Sequence, residues 1–441
     1  MNYQEYLKTI LSDQEIESLN ACYSKDNVVG IRTNLLKSHP NKIADLLNLT
    51  KKHPFVDEAF IIEDKNVKYG KNPLHYAGAY YIQEPSAMMV AHLLDIKEND
   101  KVLDLCAAPG GKSTQVLSYL NHTGVLVSND VSSKRAQVLS ENIERMGAKN
   151  CFVLNESVDN IEKRFYGYFD KVILDAPCSG QGMFRKNSEV LDDWTYNKTL
   201  SLSQTNKELI LKAYNCLKKG GVLVYSTCTF AKEENEEVVN HLLSSTNANI
   251  IKIPLNESFH SSFIEGAIRL YPFLFSGEGH FICLIKCNDD HVCSTTKYNK
   301  EVGKSDMKLY REFEEKYLTI RLEGKFIKMG DELHYIDCDY FSLDRLRLLR
   351  NGIHLGTIKK DRFEPNHAFA MYLKKEQVKN IFDVDYNDIN VINYLKGMTL
   401  NYYTENKGYV LVCVNGISLG WGKADGKIIK NLYPKGLRML S

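Results

Sequence analysis

The run Lys101-Val102-Leu103-Asp104-Leu105-Cys106-Ala107-Ala108-Pro109-Gly110-Gly111-Lys112 constrains this chain more than any other stretch. Val102, Leu103 and Leu105 form a short apolar run suited to a strand buried in a parallel sheet, and residues 113–120 carry helical spacing. The small residues between them therefore occupy a strand-to-helix turn. Gly110 and Gly111 let a ligand approach the backbone, and the helix N-terminus beyond offers free N–H groups and positive dipole to a carboxylate or phosphate. Two glycines alone would equally suit a tight turn that holds nothing, so the rest of the chain decides.

From Lys101 onward the pattern alternates. Residues 125–128 form an apolar strand ending in Asn129-Asp130, 133–146 a helix closed by Gly147, and 151–154 a third strand. Lys171-Val172-Ile173-Leu174 is a fourth strand, ending in Asp175-Ala176-Pro177-Cys178-Ser179-Gly180. A helix over about 203–217 is expected to stop at Gly220-Gly221, before a fifth strand that ends in Ser226-Thr227-Cys228. A helix over 234–243 and strands near 249–253 and 281–285 complete the unit. This alternation predicts an α/β fold with a mostly parallel sheet covered by helices on both faces, and such sheets bind ligands beyond their strands' carboxyl ends. Those ends carry Cys106 to Gly111, Asp130, Asp175 to Cys178, and Thr227-Cys228, four polar or reactive termini on one rim.

The flanks are less regular. Residues 1–75 read as a small mixed segment, with helices near 3–11 and 42–49 and a strand, Gly30-Ile31-Arg32-Thr33-Asn34, whose Arg is expected to be exposed. Pro85 marks the start of a helix before residue 94. Residues 288–306 turn polar, as a linker does. Cys283, Cys287 and Cys293, with His280 and His291, lack the C-x-x-C spacing of a zinc site, and no metal is expected. Two small mixed modules follow. The first carries Arg345, Arg347, Arg350, Lys359, Lys360 and Arg362; the second has an Asn415-Gly416 hairpin turn and ends in Lys423, Lys427, Lys430, Lys435 and Arg438. On a chain of 441 residues with a formal net charge of only +1, two basic modules make nucleic-acid docking compete with a solvated surface. The 11 cysteines are scattered without framework spacing, and no apolar run approaches the roughly 20 residues that span a bilayer. A cytoplasmic protein with reduced thiols and no membrane partner is expected.

The turn lacks G-x-G-x-x-G, and it lacks the upstream glycine of G-x-x-x-x-G-K-[ST], so dinucleotide and ATP readings weaken. Asp130, at the end of the second strand, suits a ribose diol, and the glycine turn suits a carboxylate; S-adenosylmethionine carries both. Cys178 and Cys228 then bring strong nucleophiles to the rim. Methylating an oxygen or an amine needs no covalent nucleophile. Carbon C5 of a pyrimidine does, because it becomes nucleophilic only after something adds at C6.

At this point the chain resembles the RNA (cytosine-5)-methyltransferase family of the Sun and RsmF type, and more narrowly its bacterial ribosomal RNA members with C-terminal RNA-binding modules. The likeness rests on Cys106 to Lys112, on Asp175 to Gly180 with Gln181-Gly182-Met183-Phe184-Arg185-Lys186, and on Ser226-Thr227-Cys228-Thr229-Phe230 with Glu233-Glu234-Asn235-Glu236. Gly420-Trp421-Gly422-Lys423 and Lys430 to Lys435 resemble the family's PUA-like terminal module. The resemblance implies a class I S-adenosylmethionine-dependent methyltransferase domain with a Rossmann-like sheet over residues 76–288. It also implies an N-terminal α+β RNA-binding segment over 1–75, a linker over 289–308, a first C-terminal module over 309–390 and a PUA-like module over 391–441.

By the same resemblance Cys106, Ala107, Ala108, Pro109, Gly110, Gly111, Lys112 and Asp175 line the S-adenosylmethionine pocket, with Asp130 on the ribose hydroxyls. Cys228 is implied as the nucleophile that adds to C6, Asp175 as the group that holds the cytosine at N3, and Lys112 as a second contact to the base. Cys178 is implied to help break the enzyme–RNA bond after methyl transfer. The family's adenine-contacting acid has no counterpart in Asn155-Glu156-Ser157, and Arg32, Arg185 and Lys186 are candidates for guiding the RNA backbone. The implied substrate is ribosomal RNA, of the small subunit, acted on by a monomer. Transfer RNA as substrate, or a non-catalytic ribosome-assembly factor, are the alternatives.

Overall fold

The computed structural model describes residues 1–185, 191–293, 295, 302–338, 341–403 and 405–439. At its centre lies the sheet that the apolar runs predict. Its strands lie in the order His280–Lys286, Leu217–Thr227, Phe169–Asp175, Lys101–Asp104, Val125–Asn129 and Cys151–Leu154. The last five run parallel, and His280–Lys286 is antiparallel to its neighbour.

Alternation along each strand sends side chains to opposite faces, and both faces are buried. Leu103, Val127, Val172 and Leu223 pack with Ile161, Ile210 and Val238 from helices Val158–Phe165, Tyr196–Asn215 and Glu236–Ser245. Val102, Leu126, Ile173 and Val224 face the other way, against Val90, Val116 and Leu139 from helices Pro85–Leu93, Gly111–Leu120 and Ser133–Met146. With helices on both sides, the strands' carboxyl ends are left as the open rim.

Gly220 and Gly221 do not stop a helix. Helix Tyr196–Asn215 already ends with Cys216 as its cap, and both glycines lie inside strand Leu217–Thr227. Gly220 donates its N–H to the Cys287 carbonyl and Gly221 accepts from Cys287 N–H, at 2.8 and 2.9 Å, so they extend the antiparallel ladder. At the N-terminus the expected first helix is shorter, Tyr3–Leu7. A second helix, Asp13–Tyr23, follows, opened by a capping box between Ser12 and Glu15.

Strand Tyr80–Gln83, beyond residue 75, is the third member of the N-terminal sheet with Gly30–Thr33 and Ala59–Ile61. Helix Lys304–Tyr317 begins inside the stretch expected as linker. Strand Ile381–Val384, placed by the sequence before residue 391, pairs in parallel with Gly408–Val414 of the terminal sheet. The first C-terminal module contributes to the central sheet itself: its strand Leu348–Asn351 pairs antiparallel with Cys151–Leu154 and covers that edge. Among the described residues no helix is long and apolar enough to cross a membrane.

Candidate active site

The glycine turn is held from outside so that its backbone faces the rim. Arg135 Nη2 donates to the Ala108 carbonyl at 2.7 Å, Asn142 Nδ2 to that of Pro109 at 2.9 Å and Arg32 Nη2 to that of Gly111 at 3.0 Å. Gly110 sits at φ +114°, a left-handed conformation that a side chain would strain, and an added Cβ would lie 3.1 Å from Leu139 Cδ1. Among the described residues helix Gly111–Leu120 has no side-chain cap, so its first-turn N–H groups have neither intrahelical nor side-chain acceptors there. Asp130 is 2% exposed, and its carboxylate accepts from Ala108 N–H at 3.3 Å and Ser132 N–H at 2.9 Å. A turn of uncapped donors beside a fixed carboxylate fits the amino acid and ribose ends of S-adenosylmethionine. Cys106 also lies here, but burial pushes its thiol up to about 12, with Asp104 and Asp130 adding to the effect, so it is no nucleophile.

Cys178 and Cys228 meet across two strand ends, sulfur to sulfur at 3.2 Å. The Cys178 thiol is held well above its ordinary value by its hydrogen bond to Cys228, by burial and by repulsion from the Cys228 sulfur. Cys178 therefore keeps its proton and donates it when Cys228 is the thiolate. The two loops are clamped to each other by close backbone approach. Gly182 N–H donates to the Cys228 carbonyl at 2.8 Å, and a Cβ on Gly182 would lie 3.0 Å from that same oxygen.

The run Glu233-Glu234-Asn235-Glu236 supplies the rest of the clamp. Glu234 accepts from Ser179 N–H at 2.8 Å and Oγ at 2.5 Å, which fixes the loop of Cys178. Asn235 bonds Thr227 Oγ1 at 2.6 Å and the Thr229 carbonyl at 3.0 Å, which fixes the loop of Cys228. Glu233 takes the Tyr6 hydroxyl at 2.5 Å, and Glu236 takes Arg269 at 2.6 Å.

Lys112 Nζ donates to Asp175 Oδ2 at 2.6 Å, and Ser226 Oγ to Asp175 Oδ1 at 2.8 Å. Burial alone would raise the Asp175 carboxyl, but the Lys112 ammonium and then His280 outweigh it and hold it below the ordinary value. Burial likewise pulls Lys112 down, yet Asp175 raises it above the ordinary amine. The pair is thus charged at neutral pH, and Lys112 is near enough to Cys228 to feel its charge. On the far side His280 Nε2 lies 4.0 Å from Asp175 Oδ1, and Nδ1 lies 3.0 Å from Ser86 Oγ, which donates to Glu84 Oε2 at 2.6 Å. Burial, then Lys112, keep His280 below its ordinary value and so neutral.

The structure therefore brings Cys228, Cys178, Asp175 and Lys112 together and places Cys106 to Gly111 and Asp130 along the same rim. Three expectations fall away or lie outside. Arg32 is not exposed: at 0% accessibility it bonds Gly111, Thr114 and Gln83, because its short strand lies against the glycine turn. Arg185 does not face solvent either, since it pairs bidentately with Glu278 at 2.8 and 2.9 Å with both side chains buried. Breaking such a pair costs about 3–5 kcal/mol, which marks it as structural. Lys186 lies outside the described residues.

Asn155 and Glu156 are committed to framework bonds, Asn155 Nδ2 to the Asp130 carbonyl at 2.8 Å and Glu156 Oε1 to Arg347 N–H at 2.6 Å. Glu84, Ser86 and His280 were not anticipated as part of the site. Their signals were a Glu-Pro-Ser helix start and a Gly-Glu-Gly-His turn entering the last strand.

Comparison with known proteins agrees with this geometry. The family described as 16S rRNA methyltransferase RsmB/F matches residues 91–286. The N-terminal domain of 16S rRNA methyltransferase RsmF matches 1–85, the RsmF first C-terminal domain 312–373 and the RsmF PUA domain 381–439. Ribosomal RNA small subunit methyltransferase F of Aliivibrio salmonicida is 31% identical over 87% of this chain and 85% of its own. That of Aliivibrio fischeri is 30% identical over 98% and 95%. A methyltransferase homologue from Pyrococcus horikoshii superposes with a TM-score of 0.56 at 28% identity, covering 64% of this chain and 98% of its own. NSun6 from the same organism, at 22% identity and a TM-score of 0.59 over 65% of this chain and 97% of its own, shares the fold. The chain belongs to the RsmB/F family of 16S ribosomal RNA methyltransferases and is an S-adenosylmethionine-dependent RNA methyltransferase.

Proposed function

We propose that this protein methylates C5 of cytosine in small-subunit ribosomal RNA, using Cys228 as a covalent nucleophile, Cys178 as the proton carrier of the release step and Asp175 with Lys112 as the base-holding pair. The observation that carries the reading is the contact of the two thiols, 3.2 Å apart, beside a paired carboxylate on the rim of the glycine turn.

The chemistry follows from the residues. Addition of the Cys228 sulfur to C6 pushes an electron pair onto N3, where the Lys112 ammonium, held in place by the Asp175 carboxylate, supplies the balancing proton. C5 then carries the electron density of an enamine. When bound at the glycine turn, S-adenosylmethionine would supply an electrophilic methyl group for that carbon. Afterwards C5 still holds its original proton, and the Cys228–C6 bond must break.

Here the thiol pair reverses roles. Once Cys228 is bonded to C6 it no longer bears charge, so two of the influences that hold Cys178 protonated, the bond and the repulsion from Cys228, disappear. Cys178 can then give up its own proton to water and, as the thiolate, take the C5 proton, while the C6–sulfur pair returns to Cys228. A base stacked in a helix cannot meet both a thiolate and the donor pocket, so the target is unpaired or flipped out. The basic terminal modules are suited to hold the surrounding RNA, and the protein acts as a monomer in the cytoplasm.

The test is incubation with methyl-labelled S-adenosylmethionine and small-subunit RNA from cells lacking the gene, followed by digestion to nucleosides. Label in 5-methylcytidine is expected; label in another nucleoside, or none, overturns the reading.

A further inference from the structure

Away from the catalytic rim, the first C-terminal module carries a cluster that RNA methylation does not use. Strands Glu332–Ile336 and Ile353–Ile358 pair antiparallel, with His334 directly opposite His354 and Glu332 two residues before His334 on the same face. The ligand-type atoms of Glu332, His334 and His354 all lie within 4.8 Å of one another, and His334 Nε2 is already 3.5 Å from Glu332 Oε2. The two imidazoles stack with centroids 4.8 Å apart and planes 20° from parallel.

What makes this more than a polar patch is the state of the rings. His334 is only 8% exposed, yet among the described residues neither of its ring nitrogens makes a well-formed hydrogen bond, with only the Asn351 side chain interacting weakly with the ring, and Nε2 of His354 has no partner. A buried polar atom without a partner is uncommon and calls for a missing ligand. Glu332, His334 and His354 line one cavity of about 390 Å³, which also takes in Arg350 and Glu144. Arg350 is neutralised there by its ion pair with Glu144, so it does not leave an unpaired positive charge facing the cluster.

We propose that Glu332, His334 and His354 form a site for a divalent transition-metal cation, with zinc as the ion whose chemistry fits best. Two neutral imidazoles and one carboxylate are a donor set that zinc takes readily, with a water completing a tetrahedron. Bonds of about 2.0–2.1 Å place tetrahedral ligand atoms about 3.3 Å apart, so the widest separation in the cluster closes by about 1.5 Å on binding. The half-exposed Glu332 and rotation of the two rings supply that movement. The Gly356 backbone also holds the His354 ring, the kind of outer contact that orients a ligating imidazole. The ion would staple two strands immediately beside Leu348–Asn351, the strand through which this module joins the catalytic sheet.

The experiment is calorimetric titration of Zn²⁺ into the tag-free, chelator-treated full chain, with thermal unfolding in parallel. One equivalent is expected to bind and to raise the unfolding temperature. Glu332→Gln, at a half-exposed position with little risk to folding, should weaken binding at least about tenfold, and His354→Ala should abolish it. The double variant Cys178→Ala/Cys228→Ala should bind as the parent does, which separates this cluster from the catalytic thiols. Absence of a stoichiometric site in the parent, unchanged affinity in Glu332→Gln and His354→Ala, or loss of the site with the two cysteines would each overturn the proposal.

Discussion

Arg32 and Gly111 lie 79 positions apart in the chain and are joined by a 3.0 Å hydrogen bond from guanidinium to carbonyl. A second bond, 2.8 Å from Arg32 to Thr114 Oγ1, ties the same side chain to the helix that the glycine turn opens. The N-terminal sheet thereby positions the cofactor turn from behind. Hydrogen bonds to a charged group contribute about 1.5–3 kcal/mol each, so losing them reaches the turn. Arg32→Ala is expected to weaken S-adenosylmethionine binding roughly tenfold or more, measured by calorimetry on protein whose circular dichroism matches the parent. Unchanged affinity would detach Arg32 from the turn.

Asp175 is charged, paired and aimed at the rim, and Asp175→Asn keeps its shape while removing the charge that pairs with Lys112. Methyl transfer should fall by about 10²–10⁴-fold, the usual span for losing a proton-handling group. Single-turnover rates at saturating cofactor are the measure, since they separate the chemical step from binding.

Two buried carboxyls set a pH dependence of stability. Burial pushes Asp104 up to about 7 despite the hydroxyl of Ser113, and Glu234 up to about 7 despite its bonds from Ser179. A carboxyl whose folded value is raised binds more protons folded than unfolded, so its stabilisation is full below the unfolded value and is lost as pH rises through the folded one. For Asp104 the window runs from 3.8 to about 7. Asp104→Asn mimics the protonated acid, so its unfolding temperature should fall less than the parent's across that window. An identical slope for the two proteins would show that Asp104 does not titrate there.

Phe341, from the first C-terminal module, packs its ring 4.8 Å from Phe152 and 4.6 Å from Phe165 of the catalytic domain and is 1% exposed. Phe341→Ala is expected to cost about 3–5 kcal/mol in denaturant unfolding of the whole catalytic unit. A loss confined to a separate C-terminal transition would show that the module folds on its own.

The rim was legible because each core strand is a short apolar run that stops abruptly at a polar or reactive residue, as Val127-Ser128-Asn129-Asp130 does. Period and punctuation alone then align Asp130, Asp175, Cys178 and Cys228. Residues whose partners are remote were not legible. An arginine in a four-residue strand, Gly30–Thr33, reads as surface until Gly111 and Thr114 are folded against it. Gly220-Gly221 looked like a helix stop because nothing local announces that Cys287 will pair with both. In the sequence His280 stands only beside cysteines that lack zinc spacing; only the antiparallel return of the last strand puts it next to Asp175.

The central claim is that the Cys228 sulfur bonds to the RNA and Cys178 releases it. The direct measurement is denaturing electrophoresis of the protein after reaction with labelled small-subunit RNA and S-adenosylmethionine, with the crosslinked peptide mapped by mass spectrometry. Cys178→Ala should accumulate an adduct that resists denaturant and maps to Cys228, while Cys228→Ala should yield neither adduct nor methylated RNA. An adduct trapped by Cys228→Ala and mapped to Cys178, or full methylation by Cys228→Ala, would contradict the account.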